Sequence, residues 1–174
     1  MIISDYGDNF PEKYIYIRKI YVMDKIDRKI ARIIQKNGRA SSAEIAQAVG
    51  VSVSTANERV RRLTSSGIVK DWRAIINPSK VGVKLCAMIL VDLTYENEEG
   101  DVAKLATFPE IQEIHHISGA RSYLIKIRVS DTHALQLFLK EKVKPLKSVV
   151  RTESFIVLDT VKETTEVIIG EADI

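Results

Sequence analysis

The sequence has little of several features that mark whole classes of protein. One cysteine, Cys86, among 174 residues excludes an internal disulfide, and four prolines and eight glycines are too few for a collagen-like or low-complexity chain. Lys84 and Asp92 interrupt the most apolar stretch, residues 81–93, which is also too short to span a membrane. The first residues lack the basic and apolar regions of a secretory signal. We therefore expect a globular, cytoplasmic protein in which Cys86 is packed.

Charge is distributed unevenly along the chain. Residues 1–80 contain 15 Lys and Arg against 8 Asp and Glu, a net charge of +7, whereas residues 81–174 contain 11 against 15, a net charge of −4. A basic half attracts a polyanion such as nucleic acid through its phosphates. A chance imbalance among solvated surface residues is the alternative. The split predicts two domains with different tasks.

Three helical patterns follow one another in the first half. Apolar residues recur with helical spacing over 24–37, and the second and third patterns cover 42–49 and 53–66. Ser41-Ser42-Ala43-Glu44 predicts a capping box for the second helix, and Ser52 predicts the N-cap of the third. Gly50 lies in the turn between them. Three short helices with such a turn predict a helix-turn-helix.

The segments on either side of these helices have weaker patterns. Residues 13–22 are compatible with a strand or with an aromatic, basic nucleic-acid arm; a packed strand or a frayed terminus is favoured over the arm. Residues 68–78 predict a strand that leads to a hinge, with Trp72 packed between the domains.

The second half alternates strands and helices. Predicted strands cover 87–95, 111–117, 123–129 and 149–161, and predicted helices cover 98–108 and the segment from Asp131 to the proline at 145. The order βαββαβ predicts a ferredoxin-like antiparallel sheet with two helices on one face. A second copy of the chain is the simplest cover for the other face.

The third helix has an apolar and a polar side. A helical wheel places Val53, Ala56, Val60 and Leu63 on the packed face. In a helix-turn-helix the opposite face enters the major groove of double-stranded DNA, where its first residues contact base edges and its arginines reach guanine or phosphate. A merely solvated face is the alternative. The predicted DNA-binding residues are Ser52, Ser54, Thr55, Asn57, Glu58, Arg59, Arg61 and Arg62.

Motifs along most of the chain resemble the Lrp/AsnC, or feast/famine, family of transcription regulators. The resemblance covers residues 23–162 and rests on the order of these motifs as well as on each of them. The matching segments are Met23-Asp24-Lys25-Ile26-Asp27-Arg28-Lys29-Ile30, Gly38-Arg39-Ala40-Ser41-Ser42-Ala43-Glu44-Ile45-Ala46, Val49-Gly50-Val51-Ser52, Arg59-Val60-Arg61-Arg62-Leu63, Ser66-Gly67-Ile68-Val69 and Glu110-Ile111-Gln112-Glu113-Ile114-His115-His116-Ile117-Ser118-Gly119.

The resemblance implies an α+β protein with an N-terminal winged helix-turn-helix domain and a C-terminal βαββαβ sensing domain of the RAM, ACT-like type. It implies dimers that form through the sheets, tetramers or octamers of those dimers, and a pseudo-palindromic operator. The expected domains are an N-terminal extension at 1–22, the DNA-binding domain at 23–72, a hinge at 73–82, the sensing and dimerisation domain at 83–163 and a tail at 164–174.

The resemblance also implies a small-molecule effector, an amino acid or related metabolite. The family reads Gly-x-x-Asp-Tyr after the second strand, and this chain reads Gly119-Ala120-Arg121-Ser122-Tyr123. Ser122 replaces the carboxylate that pairs with an ammonium group, and Arg121 favours an anion. The predicted effector-binding residues are Gly119, Arg121, Ser122 and Tyr123.

The sequence offers no pattern of a catalytic or metal site. His115 and His116 are adjacent in a predicted strand and point to opposite faces, and His133 is the only other histidine, so we expect no metal, no cofactor and no catalytic residues. Two alternatives to a DNA-binding regulator remain. One is an enzyme resembling the sirohaem decarboxylases, in which His115, His116 and Arg121 act on a tetrapyrrole. The other is a co-assembly partner without its own DNA specificity.

Overall fold

A computed structural model describes residues 22–119 and 121–171 of the chain. These residues form two compact units, an N-terminal unit of 22–74 with 165–171 and a C-terminal unit of 75–164. The predicted strand or arm at 13–22 lies, except for its last residue, outside the described residues. No helix within the described ranges is long and apolar enough to cross a membrane.

The N-terminal unit contains the three predicted helices, α1 (Lys25–Lys36), α2 (Ser42–Val49) and α3 (Val53–Ser65). Side-chain caps set their first residues. The Ser41 hydroxyl accepts the Glu44 N–H at 3.2 Å while the Glu44 carboxylate accepts the Ser41 N–H at 2.7 Å, which confirms the predicted capping box. Ser52 caps α3 as predicted, and its hydroxyl accepts the Thr55 N–H at 3.1 Å. Gly50 ends α2 in the left-handed conformation, with φ of 76°.

One apolar cluster joins the three helices. Val53 was predicted to belong to it, but 47% of Val53 is exposed because this residue opens α3, one turn before Ala56, where the packed stripe begins. The buried members are Ile30, Ile34, Ile45, Ala46, Ala56 and Leu63.

The prediction of a strand at 68–78 is wrong. Residues 70–77 adopt no regular element, and a 3₁₀ turn at Pro78–Val81 follows them. A strand needs a neighbour that takes its backbone hydrogen bonds, and no described strand pairs with this segment. Trp72 lies in the N-terminal unit, where its ring is 3.8 Å from the position that a Cβ on Gly38 would occupy.

The C-terminal tail, residues 165–171, is part of the N-terminal unit. The Gln35 amide of α1 donates to the Val167 carbonyl at 2.8 Å and accepts the Val167 N–H at 3.0 Å. Arg32, one turn earlier, donates Nε and Nη2 to the Ile169 carbonyl at 3.0 and 2.9 Å. Nη2 also donates to the Gly170 carbonyl at 3.0 Å. Two side chains of α1 therefore bind the backbone of the tail.

The C-terminal unit has the predicted order βαββαβ, in one antiparallel sheet of spatial order β2-β3-β1-β4. A π-helical turn at Leu139–Val143 extends the second helix of this unit. The elements are β1 (Leu85–Leu93), α4 (Glu98–Leu105), β2 (Ile111–His116), β3 (Tyr123–Val129), α5 (Thr132–Phe138) and β4 (Val149–Ile156).

Three elements differ from the prediction by two residues or more. The first strand was expected at 87–95 and lies at Leu85–Leu93. The last strand was expected to continue to residue 161, but it ends at Ile156, which pairs with Ala87 near the beginning of β1. The Val157 N–H still donates to the Cys86 carbonyl at 2.9 Å, but β1 begins one residue before Cys86, at Leu85, so a strand that continued to 161 would have no partner. The helix predicted at 98–108 ends at Leu105, because Thr107 and Phe108 close turns onto the carbonyls of Lys104 and Leu105.

The core of the C-terminal unit lies between one sheet face and the two helices. Ile89 and Ile125 are cross-strand neighbours at its centre, and Phe138 of α5 meets Phe108 edge-on with ring centroids 5.8 Å apart. Cys86 is buried, as predicted. On the opposite face, Lys126 and Arg128 of β3 both form ion pairs with Glu163.

Candidate DNA-binding face and effector loop

The polar side of α3 is open to solvent, whereas its apolar side is buried. Ser54, Glu58 and Arg61 are exposed along this side. Within residues 22–119 and 121–171, the side chains of Glu58 and Arg61 form no hydrogen bond or ion pair. An uncommitted acceptor and an uncommitted guanidinium, three residues apart on one helix face, are available to an external partner.

Hydroxyl groups cluster at the first turn of α3. The Ser52 hydroxyl lies 2.9 Å from that of Ser54 and 2.8 Å from that of Thr55, while it also caps the helix. The free N–H groups and the positive end of the helix dipole at this terminus favour an anion. Asn57, on the flank, accepts a hydrogen bond from Ser42 of α2 and so holds the two helices together.

Arg59 has a role inside the N-terminal unit that its sequence position does not show. Its Nη1 donates to Asp24 at 2.6 Å and to Asp27 at 2.8 Å, the two residues that form the capping box of α1. Burial alone raises the pKa of Asp24, but the hydrogen bonds from Arg59 and from the Asp27 backbone hold it below the ordinary value. Only 1% of Asp27 is exposed. Arg59 thus joins α3 to the beginning of α1.

Arg62 lies beside the same pair of carboxylates. Its Nη2 is 3.5 Å from Asp27, and 44% of its side chain is exposed. Of the predicted DNA-binding residues on α3, four form neither an ion pair nor a hydrogen bond to another helix within the described chain: Ser54, Thr55, Glu58 and Arg61. Contact between Arg59 or Arg62 and DNA stays a prediction.

The predicted effector residues lie around the turn between β2 and β3. The Ile117 N–H donates to the Ser122 carbonyl at 3.0 Å and closes the turn, and the Ser122 hydroxyl accepts the Leu93 N–H at 3.4 Å. Gly119 has φ of 129°, in the region that L side chains rarely adopt. Apart from Gly119 and its two chain neighbours, no heavy atom of the described residues lies within 4 Å of a Cβ built on it, so a ligand can approach the backbone at Gly119.

The charge of Arg121 is neutralised inside the unit. Its Nη1 lies 2.5 Å from Asp92 of β1 and its Nη2 lies 3.2 Å from Glu153 of β4. We expected Arg121 to favour an anionic effector, but two carboxylates already bind this guanidinium. The surroundings of the loop therefore do not present a net positive charge.

Tyr123 connects the loop to the first turn of α4. Its hydroxyl donates to Glu98 at 2.8 Å, and this hydrogen bond and burial raise the pKa of Tyr123. The His116 ring stacks on the Tyr123 ring, with centroids 4.8 Å apart. Glu98 and Asp92 thus place carboxylates on two sides of the loop, where the sequence lacks the carboxylate of the family motif.

Sequence reasoning missed the acidic partners of both sites. Asp24 and Asp27 carry a signal, since two acids three residues apart at a helix start form a capping pair, but their contact with Arg59 spans more than thirty residues. Asp92 and Glu98 belong to other elements than the loop they surround. Pairing across elements has no local signature.

Metal ligands are not grouped in the described parts of the chain, where no three His, Cys, Asp or Glu side chains are close enough to hold an ion. His115 lies 3.2 Å from Glu113 on the outer part of β2. His116 points to Tyr123 instead. The two histidines therefore have different neighbours and share no site.

Comparisons with known families cover both units. The family described as Lrp/AsnC ligand binding domain matches residues 86–167, and the family described as winged helix-turn-helix DNA-binding matches residues 23–70.

Curated relatives match along most of their length. The chain is 36% identical over 145 residues to the HTH-type transcriptional regulator FL11 of Pyrococcus furiosus, covering 83% of this chain and 95% of that protein. It is 35% identical over 152 residues to the leucine-responsive regulatory protein of Salmonella typhimurium, covering 84% and 92%.

Solved structures share the fold. A transcriptional regulator of Neisseria meningitidis in complex with L-methionine superimposes with a TM-score of 0.80 and 28% identity, covering 84% of this chain and 96% of that one. AsnC of E. coli superimposes with a TM-score of 0.78 and 29% identity, covering 84% and 99%.

Proposed function

The chain belongs to the Lrp/AsnC family of transcription regulators, and we propose that it binds double-stranded DNA through the exposed side of α3 under the control of an amino acid held by its C-terminal unit. The observation that carries the proposal is the accessible polar row of Ser54, Glu58 and Arg61 on the second helix of a capped helix-turn-helix. In that motif this surface enters the major groove.

Different residues of α3 contact different parts of the DNA. Ser54, Thr55 and Glu58 contact base edges, because the first turns of a recognition helix reach deepest into the groove. Arg61 contacts guanine or phosphate. Ser52 and Asn57 bind the DNA backbone near the first turns of α3. Arg59 and Arg62 contribute positive charge next to the phosphates while they remain tied to Asp27.

A dimer is consistent with the proposed DNA binding. We propose a dimer that forms through the sheet face opposite the helices and that associates into tetramers or octamers. Exposed apolar surface on that face supports it, since Phe155 is 49% exposed and its cross-strand neighbour Met88 is half-buried. Two recognition helices about 34 Å apart would read a pseudo-palindromic operator.

A zwitterionic amino acid suits the loop. The backbone at Gly119 leaves room for a ligand carboxylate to meet N–H groups. The carboxylates of Asp92, Glu153 and Glu98 outnumber the single guanidinium of Arg121, and this excess of negative charge favours the ligand's ammonium group. The structurally similar regulator of Neisseria meningitidis was crystallised with L-methionine, and one relative is named the leucine-responsive regulatory protein. Both names support an amino acid as the ligand class. Ser122 and Tyr123 then orient the ligand without charge.

We propose no catalytic role. The three side chains that an enzyme resembling the sirohaem decarboxylases would use are already engaged: His115 with Glu113, His116 with Tyr123, and Arg121 with two carboxylates.

The test is selection of DNA from the genome that encodes the protein. Purified protein is incubated with fragmented DNA, washed at moderate salt, and the retained fragments are sequenced. A shared pseudo-palindrome is expected, with affinity that falls steeply as salt rises because phosphate contacts release counterions. Retention without a common sequence would reduce the function to charge-driven binding. No retention would overturn DNA binding by this chain alone and favour a co-assembly partner.

A further inference from the structure

A groove of about 580 Å³ opens in the C-terminal unit between β4 and the helix formed by α5 and the π turn. Its size is in the range of sites for small organic ligands. The floor consists of Leu139, Val143 and Val149, which are buried or half-buried, and the rim carries the positive charges of Lys140 and Lys144. Arg151 of β4 also lines the groove, but it pairs with Asp92 and its guanidinium lies 3.9 Å from Glu153, so its side chain belongs to the opposite face of the sheet.

The groove exists because the helix leaves the edge strand partly uncovered. Thr152 pairs with Val91, whose side chain is buried beneath the helices, and cross-strand neighbours share a sheet face. Thr152 therefore lies on the helix side of the sheet, yet it is exposed. It faces the groove together with Gln136 of α5, so both walls add polar groups above the apolar floor.

The rim cations have few carboxylates near them. Residues 140–151 contain five Lys and Arg against Glu141 alone. Lys142 is neutralised by Glu110 at 2.5 Å, but within the described part of the chain no carboxylate lies within 4.0 Å of Lys140 or Lys144. Like charges four residues apart on one helix face repel, which an anion between them would relieve.

The backbone supports the same conclusion independently. The Lys144 N–H donates to the Leu139 carbonyl at 2.8 Å, five residues back, and so makes a π turn where an α-helical bond is the more stable form. Single π turns are rare and occur frequently at functional sites. Four of the residues that line the groove, at 139, 140, 143 and 144, belong to this turn or end it.

We propose that this groove binds an organic phosphate, a molecule whose phosphate groups meet the ammonium groups of Lys140 and Lys144 while a ring or apolar part rests on Leu139, Val143 and Val149. A phosphate group carries nearly two negative charges and three strong acceptor oxygens, which suits two lysine ammonium groups at once. A recessed apolar floor suits a small molecule better than the DNA backbone. The site is separate from the loop at Gly119 and does not depend on the effector proposed there.

Two probes test the site by titration calorimetry of the full chain at constant ionic strength: ADP, which has a ring, and inorganic pyrophosphate, which has none. The variant Lys140→Gln/Lys144→Gln removes two rim charges. Lys147→Gln/Lys162→Gln is the matched control, because it removes the same charge from exposed lysines that do not line the groove.

We expect ADP to bind more tightly than pyrophosphate, adenosine not to bind, and the rim variant to lose affinity by about tenfold or more, as for the loss of charge-assisted hydrogen bonds. The control variant should match the natural chain. The proposal is overturned if neither probe binds at about 1 mM, the weak end of specific binding. It is also overturned if the rim variant and the control variant bind ADP with equal affinity. Loss of DNA affinity in the rim variant, without any binding of the probes, would assign these lysines to the DNA backbone instead.

Discussion

Arg59 of α3 donates a hydrogen bond of 2.6 Å to Asp24, the residue that caps α1. The recognition helix is thereby fixed to the first residue of the helix-turn-helix through a side chain that sits among the candidate DNA contacts. The same guanidinium reaches Asp27, which is buried. Positive charge on this helix therefore serves two purposes, and substitution can separate them.

Arg59→Ala should destabilise the N-terminal unit by about 2 to 3 kcal/mol, because it leaves the buried Asp27 without its closest cation. The measurement is a urea titration followed by the fluorescence of Trp72, the one tryptophan, which lies in that unit. Arg61→Ala is the control and should leave the midpoint unchanged. Equal midpoints for both variants would contradict a structural role of Arg59.

Arg61→Ala should instead weaken binding to the selected operator at unchanged stability, because this exposed guanidinium has no partner in the described structure. A base contact predicts a loss of about 1 to 3 kcal/mol that is specific to the operator, and a phosphate contact predicts a uniform loss with a salt dependence reduced by about one unit. Lys162→Ala removes the same charge far along the chain and is the control. If Arg61→Ala binds as tightly as that control, the role given to the exposed side of α3 is wrong.

Gly119→Ala should destabilise the C-terminal unit by about 1 kcal/mol, because φ of 129° strains any residue with a Cβ. It should also lower the affinity for an amino-acid effector by changing the loop backbone. Circular dichroism during unfolding and calorimetry with L-leucine and L-methionine measure the two effects. Gly170→Ala, at a position without positive φ or a close neighbour, should have neither effect. Identical behaviour of the two alanine variants would remove the special role of Gly119.

Acid should weaken the C-terminal unit through Asp101. Two hydrogen bonds from Ser148, N–H at 2.9 Å and hydroxyl at 2.7 Å, hold the pKa of this buried carboxylate below its ordinary value of 3.8. A lowered pKa means that the ionised form stabilises the fold above about pH 4 and that this contribution disappears as the pH falls through the folded-state pKa.

Asp101→Asn should therefore cost about 1 to 3 kcal/mol at pH 7 and much less near pH 3. Unfolding followed by circular dichroism across this range is the measurement. Glu99→Gln, an exposed carboxylate in the same helix, should show no such difference. A penalty for Asp101→Asn that stays constant down to pH 3 would exclude the ionised carboxylate as the stabilising form.

Gln35→Ala should loosen the C-terminal tail, because it removes both hydrogen bonds to Val167. Amide exchange in peptides that cover 165–171 should accelerate about threefold to tenfold, as for the loss of roughly 0.5–1.5 kcal/mol of hydrogen bonding. Lys29→Ala, on an exposed position of α1, is the control. Unchanged exchange in Gln35→Ala would mean that the tail is held by other contacts.

Elements with a local chemical cause were predictable from the sequence. The capping box at Ser41 predicts the bounds of α2, and the alternation from Tyr123 to Val129 predicts those of β3, both to within one residue of the structure. Both signals depend only on residues that are neighbours in the sequence. The strand at 68–78 failed for the opposite reason, because a strand depends on a neighbour that the local pattern does not reveal.

The candidate sites were predictable only in part. The exposed side of α3 follows from a helical wheel, but the capture of Arg59 by Asp24 and of Arg121 by Asp92 and Glu153 depends on contacts between distant segments. The sequence identifies which groups carry charge. It does not identify which charges are already neutralised.

The tail contact has a consequence for synthesis of the protein on the ribosome. Arg32 and Gln35 bind residues that follow them by more than 130 positions, so the DNA-binding unit is assembled from the beginning and the end of the described chain. During translation the three helices emerge early and pack on local contacts, while residues 165–171, which bind Arg32 and Gln35, are made only after the C-terminal unit. A nascent chain therefore leaves Arg32 and Gln35 without these backbone partners until the C-terminal unit has been synthesised.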